Sequence, residues 1–485
     1  MKQINKKIWW LLLSGIIILG AVIFGSLFYQ GEDTQDEIRY VRKNIHTTEA
    51  QSDIEALNKA MKIMREKDCS DPLSWYYQSS MHWVPDTINK NGLCSSYQNI
   101  SQLKENWNSC THTKGSEIHF LVWHRLYIYH FEKIVRKLSG KKDFALPYWG
   151  YTNQGSEQKI LQSMFRNNNS SLYEACRFDS LNMGYPISGE GARALDITQL
   201  FDLTTYESFN SAMDAAPHGA MHDYIGAGND TSTLPRFNNP ITGTLTPSGL
   251  MGWVPTAAFD PVFWTHHSNI DRLWQQWTNS NNGQLVTLED LNSFPWVYSF
   301  FDENGKKVTY TNEEIIKIIY DLDYDFDDTK VQSKEMKLKS VRAGKHVTAS
   351  EKPLLSVNKQ VTNVKVIKPK STTKDFVTLK VKIKVVVSFT KMPKGTYEVY
   401  VNQPNGKDRH PSNEYFVGFM NFFGSDHKTI GSTCNKGCCG DILNGKPTKT
   451  FTFEVDASDV YNISLYKYNN KHTGNLVIES IEISQ

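Results

Sequence analysis

The chain has 485 residues, of which 39% are hydrophobic and 21% charged, with a formal net charge of +2. That length predicts two or three domains rather than one, and so even a charge balance offers nothing to attract nucleic acid. The 14 histidines are ordinary in number; it is their clustering that carries information.

Ile8 to Tyr29 is an apolar run without charge, long enough to span a bilayer. Lys2, Lys6 and Lys7 precede it and Glu32, Asp33, Asp36 and Glu37 follow. The positive-inside rule puts the basic tip in the cytoplasm and the remainder in the periplasm or outside the cell. The run is long for a signal peptide and no A-x-A site follows it, so an uncleaved membrane anchor is expected, with secretion after signal cleavage as the alternative. Disulfides are permitted there. Cys69 and Cys94 flank the segment holding His82, although connectivity stays open.

Glu49 to Arg65 carries Ile54, Leu57, Ala60 and Met61 at helical spacing. Residues 68–115, with Pro72, Pro85 and Gly92, are expected to be irregular. A helix from about Ile118 to Lys137 would turn Leu121, His124, Ile128 and Phe131 into a core. Residues 150–200 look loop-rich, and a short helix should start near Thr205. Another short helix should hold His218 and His222, which at four apart share one face. From Phe259 to Trp277 the chain reads as a helix with Pro261 in its first turn and Phe263, His267, Ile270 and Trp274 on one face. Residues 331–374 form a lysine-rich linker with early strands. Beyond them Val377, Leu379, Val381, Ile383 and Val385 alternate with lysines, as in a half-buried strand. Further strands fit Tyr397–Asn402, Tyr415–Phe422, Thr450–Val455, Ile463–Tyr468 and Leu476–Ile483, which suggests a sandwich or jelly roll.

Any one of these histidines could be a core residue. Together, the His218/His222 pair and an imidazole from a facing helix make a three-nitrogen metal site, suited to copper, zinc, iron or nickel. A second group, His82, His112 and His124, with His119 close by, suggests two ions sharing one pocket. Two sets of imidazoles without carboxylate ligands argue against a zinc or di-iron hydrolase.

Cys110-Thr111-His112, Trp123-His124-Arg125-Leu126-Tyr127, Pro217-His218 with His222, and Asp260-Pro261 through His266-His267 to Asp271-Arg272 resemble the copper-site signatures of the tyrosinase / polyphenol oxidase (catechol oxidase) family, the type-3 dicopper proteins. Leu146-Pro147-Tyr148-Trp149 matches too, and the resemblance covers roughly residues 40 to 330. It implies a mainly α, four-helix-bundle dicopper catalytic domain over residues 31–330. That domain follows the basic tip and transmembrane segment of residues 1–30 and precedes an all-β, sandwich-like C-terminal domain over 375–485. It implies two copper ions, the first on His82, His112 and His124 and the second on His218, His222 and His267, with dioxygen as co-substrate. A small phenol is then the organic substrate, and an o-diphenol leaves as an o-quinone. A haemocyanin-like dioxygen carrier is the alternative, because it uses the same centre.

The same resemblance assigns secondary roles. His266 is a neighbour of the second site or of the substrate, and Asp271 lies behind the ligands on the His267 face. Asp214 is the candidate for the acidic group that orients a water, where the family usually has Glu. Gly219 stands where many hydroxylating members carry Asn, which favours diphenol over monophenol chemistry. Eleven residues separate His112 from His124, against eight in the family. His119 is therefore an alternative ligand, although five positions before His124 is poor spacing for a shared face. Cys110 would form a thioether to His112, as in fungal members. Cys434, Cys438 and Cys439 form a cluster that either closes a disulfide or holds copper in transit. The C-terminal domain resembles the shield that covers the copper pocket in related enzymes.

Overall fold

The computed structural model describes residues 39–84, 91–93, 116–226, 237–246, 249–294, 296, 298–331, 346–349, 354–355, 361–365, 380–390, 392–404, 406–425, 442–443, 446–456, 460, 462–467 and 476–484. The chain divides into Met1–Tyr40 and Val41–Gln485. The apolar run Ile8–Tyr29, expected to anchor the chain, lies outside the described residues. Among the described residues no helix is long and apolar enough to cross a membrane.

Within Val41–Gln485 the first part is helical. Its elements are α1 (Gln51–Glu66), α2 (Trp75–Ser80), α3 (Phe120–Ser139), α4 (Tyr206–Met213), α5 (Ala220–Ile225) and α6 (Val262–Asn279). α3 packs against both α1 and α6. α1 buries Ile54, Leu57, Ala60, Met61 and Met64, the face its periodicity predicts. α2 was not expected, since residues 68–115 read as irregular. It forms because the Ser74 side chain accepts from the Tyr77 N–H at 3.1 Å and caps it. α3 begins two residues later than expected, because Ser116–His119 is a 3-10 turn. It ends at Gly140, whose φ of 76° suits a left-handed cap.

The expected four-helix bundle is divided in one limb, in keeping with the two short helices expected near Thr205 and at His218/His222. Its fourth limb is α4 and α5 with a π-helical turn, Asp214–Gly219, between them. Pro217 lies in that turn and Ala216 is extended, so a helix carrying His218 cannot run unbroken from α4.

Buried charges lock α3 to α6. Asp271 on α6 accepts from Arg125 Nε on α3 at 2.5 Å, from Arg42 Nη1 at 2.8 Å and from the Tyr324 hydroxyl at 2.5 Å. Glu132 on α3 accepts from Arg42 Nε at 2.7 Å and from the Leu146 N–H at 2.8 Å. At the start of α6, the Asp260 carboxylate accepts from the Val262 N–H at 2.9 Å and is held by Arg177. This is the structural use of the Asp-Pro pair.

The C-terminal part consists of two antiparallel sheets. Its strands are β1 (His346–Ala349), β2 (Leu354–Leu355), β3 (Val361–Lys365), β4 (Lys380–Phe389), β5 (Thr396–Val401), β6 (Phe416–Asn421), β7 (Lys446–Asp456), β8 (Asn462–Lys467) and β9 (Leu476–Ser484). β7, β4, β9 and β1 run side by side, with Ile442–Leu443 on the outer edge of β7 and β2 also on β9; β6, β5, β8 and β3 form the second sheet. Val381, Ile383, Val385 and Val387 of β4 meet Val399, Ile463 and Leu465 in one apolar core, as the alternation predicts.

The β-domain docks on the helical part through charged groups. Arg193 Nε and Nη2 donate to Glu398 at 2.5 and 2.8 Å. Glu454 accepts from the Thr204 N–H and hydroxyl at 2.8 and 2.9 Å and from the Thr205 hydroxyl at 2.8 Å. Cys69 is disulfide-bonded, and Cys176 is a buried free thiol. Cys94, Cys110, Cys434, Cys438 and Cys439 lie outside the described residues.

Candidate metal centre

Five of the six assigned ligand histidines are described, and all five are buried: His82, His124, His218, His222 and His267. They converge from separate elements. His82 follows α2, His124 sits on α3, His218 in the π turn, His222 on α5 and His267 on α6. His82 Nε2 and His124 Nε2 lie 3.3 Å apart, and His222 Nε2 and His267 Nε2 lie 3.5 Å apart. Ligands about 2.0–2.1 Å from a tetrahedral ion sit roughly 3.3–3.4 Å from one another, so both separations suit a shared metal. The His124 and His267 rings stack at 4.2 Å and 5°, which brings the two sets face to face. His112 and Cys110 lie outside the described residues, so the third donor of the first set and the thioether do too.

The opposite ring nitrogens are held by backbone. His82 Nδ1 meets Val254 O at 2.9 Å, His124 Nδ1 meets Phe120 O at 2.8 Å and His222 Nδ1 meets Met251 O at 3.0 Å. A carbonyl can only accept, so Nδ1 carries the proton and Nε2 presents its lone pair inward. His218 Nδ1 lies 3.2 Å from Asp214 O and 3.1 Å from Asp214 Oδ1. Asp214, expected to orient a water, thus stands behind His218 and fixes its ring. His218 Nε2 is buried without a hydrogen-bond partner, as a metal donor should be.

Burial drives the titration. It pushes His82 down to about 3 and lowers His124, His222, His266 and His267 well below the usual imidazole range, with neighbouring imidazoles adding to the effect of burial in every case. Neutral rings at ordinary pH are what a metal requires.

His119 is set apart from this cluster. Its Nε2 donates to Phe294 O at 2.7 Å and its Nδ1 is paired with the Tyr298 hydroxyl. Both nitrogens are in use, which corrects the alternative that made it a ligand. Asp271 touches Arg42, Arg125 and Tyr324 and therefore fixes the helices that carry His124 and His267. His266 is buried on α6, with Nδ1 2.9 Å from the Tyr151 hydroxyl. Phe263 packs 4.2 Å from His267 and 4.8 Å from His82, which makes it a wall of the site.

Sequence reasoning did not find Tyr151, Asn421 or Phe423. Phe423, just after β6, stacks on His222 at 4.1 Å and 16°. Its N–H donates to Asn421 Oδ1 at 2.7 Å, and Asn421 Nδ2 donates to Asp223 Oδ2 at 2.9 Å. Burial pushes Asp223 up to about 7. A Cβ on Gly219 would stand 2.6 Å from Asn421 Oδ1 and 2.9 Å from Asp214 O, so the close approach requires glycine.

The family model described as the common central domain of tyrosinase matches residues 72–187 and 187–280. Over that stretch the chain is similar to the tyrosinase / polyphenol oxidase family of type-3 dicopper proteins. A tyrosinase of Hahella sp. is 28% identical over 278 residues, covering 53% of this chain and 57% of the relative. Aureusidin synthase of Antirrhinum majus is 27% identical over 291 residues, covering 53% and 46%. The chain thus spans about half the length of these relatives. A latent aurone synthase (polyphenol oxidase) superposes with a TM-score of 0.64 at 18% identity, covering 93% of this chain and 90% of that one. Latent apple tyrosinase superposes with a TM-score of 0.61 at 18% identity, covering 92% and 96%. These superpositions extend the likeness in fold to the β-domain. Two copper ions are the metals of this type-3 family, and the all-imidazole, neutral donor set fits them.

Proposed function

We propose that this tyrosinase-family chain is a copper-dependent oxidoreductase that converts o-diphenols to o-quinones with dioxygen. The observation that carries the reading is the pair of Nε2 separations, 3.3 Å for His82/His124 and 3.5 Å for His222/His267, in neutral rings that face each other. His82, His112 and His124 hold one copper ion and His218, His222 and His267 the other. When bound, the copper pair supplies electron exchange with dioxygen: two o-diphenols give up four electrons and four protons, and one dioxygen leaves as two waters. The protein orients the rings through backbone carbonyls and Asp214, and Phe263 excludes water from one side. Gly219 supports diphenol rather than monophenol chemistry.

Purified chain should hold two copper ions, oxidise catechol and develop a near-ultraviolet charge-transfer band when hydrogen peroxide is added. Stoichiometric zinc or iron instead would overturn the reading. A copper-loaded chain that binds dioxygen reversibly but leaves catechol untouched would make it a haemocyanin-like carrier.

The β-domain acts as a shield, and Phe423 over His222 is the side chain that blocks the opening. Cleavage within 331–374 followed by separation of the parts should raise catechol turnover; unchanged turnover would sink the shield. Localisation rests on sequence alone. The run Ile8–Tyr29 exports the catalytic part, as an uncleaved anchor or, alternatively, as a signal peptide.

A further inference from the structure

An ammonium group of the β-domain reaches the carboxylate that backs the second metal site. Lys449 lies on β7, where it stands opposite Val387 of β4, a residue of the β-domain core. Its Nζ is 3.6 Å from Asp214 Oδ2 and donates to Phe423 O at 3.4 Å. The other oxygen of the same carboxylate, Asp214 Oδ1, is 3.1 Å from His218 Nδ1, which also faces the Asp214 carbonyl at 3.2 Å. Both oxygens accept, so His218 Nδ1 carries the proton and donates. Ammonium, carboxylate and imidazole therefore form a line that ends at His218 Nε2, which is buried without a hydrogen-bond partner. The Lys449 and Asp214 side chains are each only 16% exposed, so their attraction is screened less than that of an open surface pair.

We infer that Lys449 couples the β-domain to the second metal site by charge: docked, it shares the Asp214 carboxylate with His218 and weakens that histidine as a metal donor. The inference rests on the metal centre and the shield proposed above, and gives the shield a second action beside the Phe423 ring. A carboxylate behind a ligating imidazole raises the basicity of the ring, because it stabilises the positive charge that metal binding places on the N–H. A cation beside the other carboxylate oxygen opposes this by Coulomb attraction. When the β-domain leaves, Lys449 leaves with it, and Asp214 acts on His218 without the opposing charge. His218 becomes the stronger donor as Phe423 uncovers His222. The bond from Lys449 to Phe423 O ties the two actions together, since one ammonium holds both the covering segment and the carboxylate. Lys449 is thus a positioning residue that acts on His218 through Asp214.

The test isolates the second site in the full-length chain by removing the first through His82→Ala and His124→Ala. Zinc(II) is the probe, and its affinity is read by competition with a chromophoric chelator. Asp214→Asn should weaken zinc by about 10- to 100-fold, the range for losing the partner of a ligating histidine, whereas Lys449→Met should tighten it by about 3- to 10-fold. Lys449→Arg, which keeps the charge, should restore the parental affinity. In the Asp214→Asn background, Lys449→Met should have a much smaller effect, because the carboxylate through which it acts is gone. A β-domain merely loosened by Lys449→Met would shift zinc equally in both backgrounds. Either that equal shift or an unchanged affinity in Lys449→Met would overturn the inference. If Asp214→Asn does not fold, proton NMR of the zinc-loaded parent and of Lys449→Met decides. The His218 Nδ1 proton should move downfield in Lys449→Met as its bond to the carboxylate strengthens, and an unmoved resonance would overturn the inference equally. Failure of the parent to bind zinc, together with a copper-free wild-type chain, would instead overturn the metal centre itself.

Discussion

At the residue scale, the fate of each ring nitrogen separates ligands from structural histidines. His119 resembles a ligand in sequence, yet Phe294 O and the Tyr298 hydroxyl occupy both of its nitrogens. His119→Gln should leave copper content unchanged while costing about 1–3 kcal/mol through broken buried hydrogen bonds; metal analysis and thermal melting read the two effects separately. His222→Ala should abolish the second site and reduce copper per chain by half. The lowered imidazoles also fix a pH dependence. Below the ordinary value of 6.5 the unfolded chain takes up protons that buried His82, at about 3, refuses. The unfolded state then binds more protons, so the metal-free protein should lose stability as pH falls from 6.5 towards 3. Denaturant melts of the chelated protein across that range check the sign, and flat stability would contradict it.

At the scale of elements, the centre depends on how α3 and α6 are clamped. Asp271 neutralises Arg125 and Arg42 in a site where neither guanidinium reaches solvent. Removing one partner of a buried pair leaves an uncompensated charge, at a cost of about 3–5 kcal/mol. Asp271→Asn should destabilise the fold by that order in urea unfolding and lose copper as a consequence, since His124 neighbours Arg125 and His267 lies one turn before Asp271. The π turn plays the other part. By interrupting α4 and α5 at Pro217 it brings His218 beside Asp214 and leaves Gly219 against Asn421.

For the whole molecule, the β-domain meets the histidine cluster through the Phe423 ring, which lies against His222 and His218, and meets the helical part through charged contacts. Phe423→Ala removes the ring from His222 while the Arg193–Glu398 and Glu454–Thr205 contacts remain. Catechol turnover by the uncleaved chain should therefore rise, with little change in docking. Gly219→Ala works by another route: its Cβ would meet Asn421 Oδ1 and the Asp214 carbonyl, so the shield should dock less tightly and basal turnover should also rise. Limited proteolysis distinguishes the two, because only the second substitution should speed release of the β-domain.

The sequence by itself carried the likeness to the family, the clustering of the histidines and the broad division into helical and β parts. Those follow from local pattern: the i, i+4 spacing of His218 and His222, the Asp-Pro start of α6, and the alternation along β4. The π-helical turn that joins the two short helices of the fourth limb was not legible, because its geometry depends on how Pro217 and the extended Ala216 are accommodated between them. Only the tertiary structure decided that His119 is spent on Tyr298 and Phe294, that Asp214 backs His218, and that His266 buries an unpaired Nε2 beside the other imidazoles. It alone brought Phe423 over His222 from some two hundred residues away. The physical reason is that a ring's chemistry depends on which partners occupy its two nitrogens, and those partners come from distant segments whose approach no local spacing encodes.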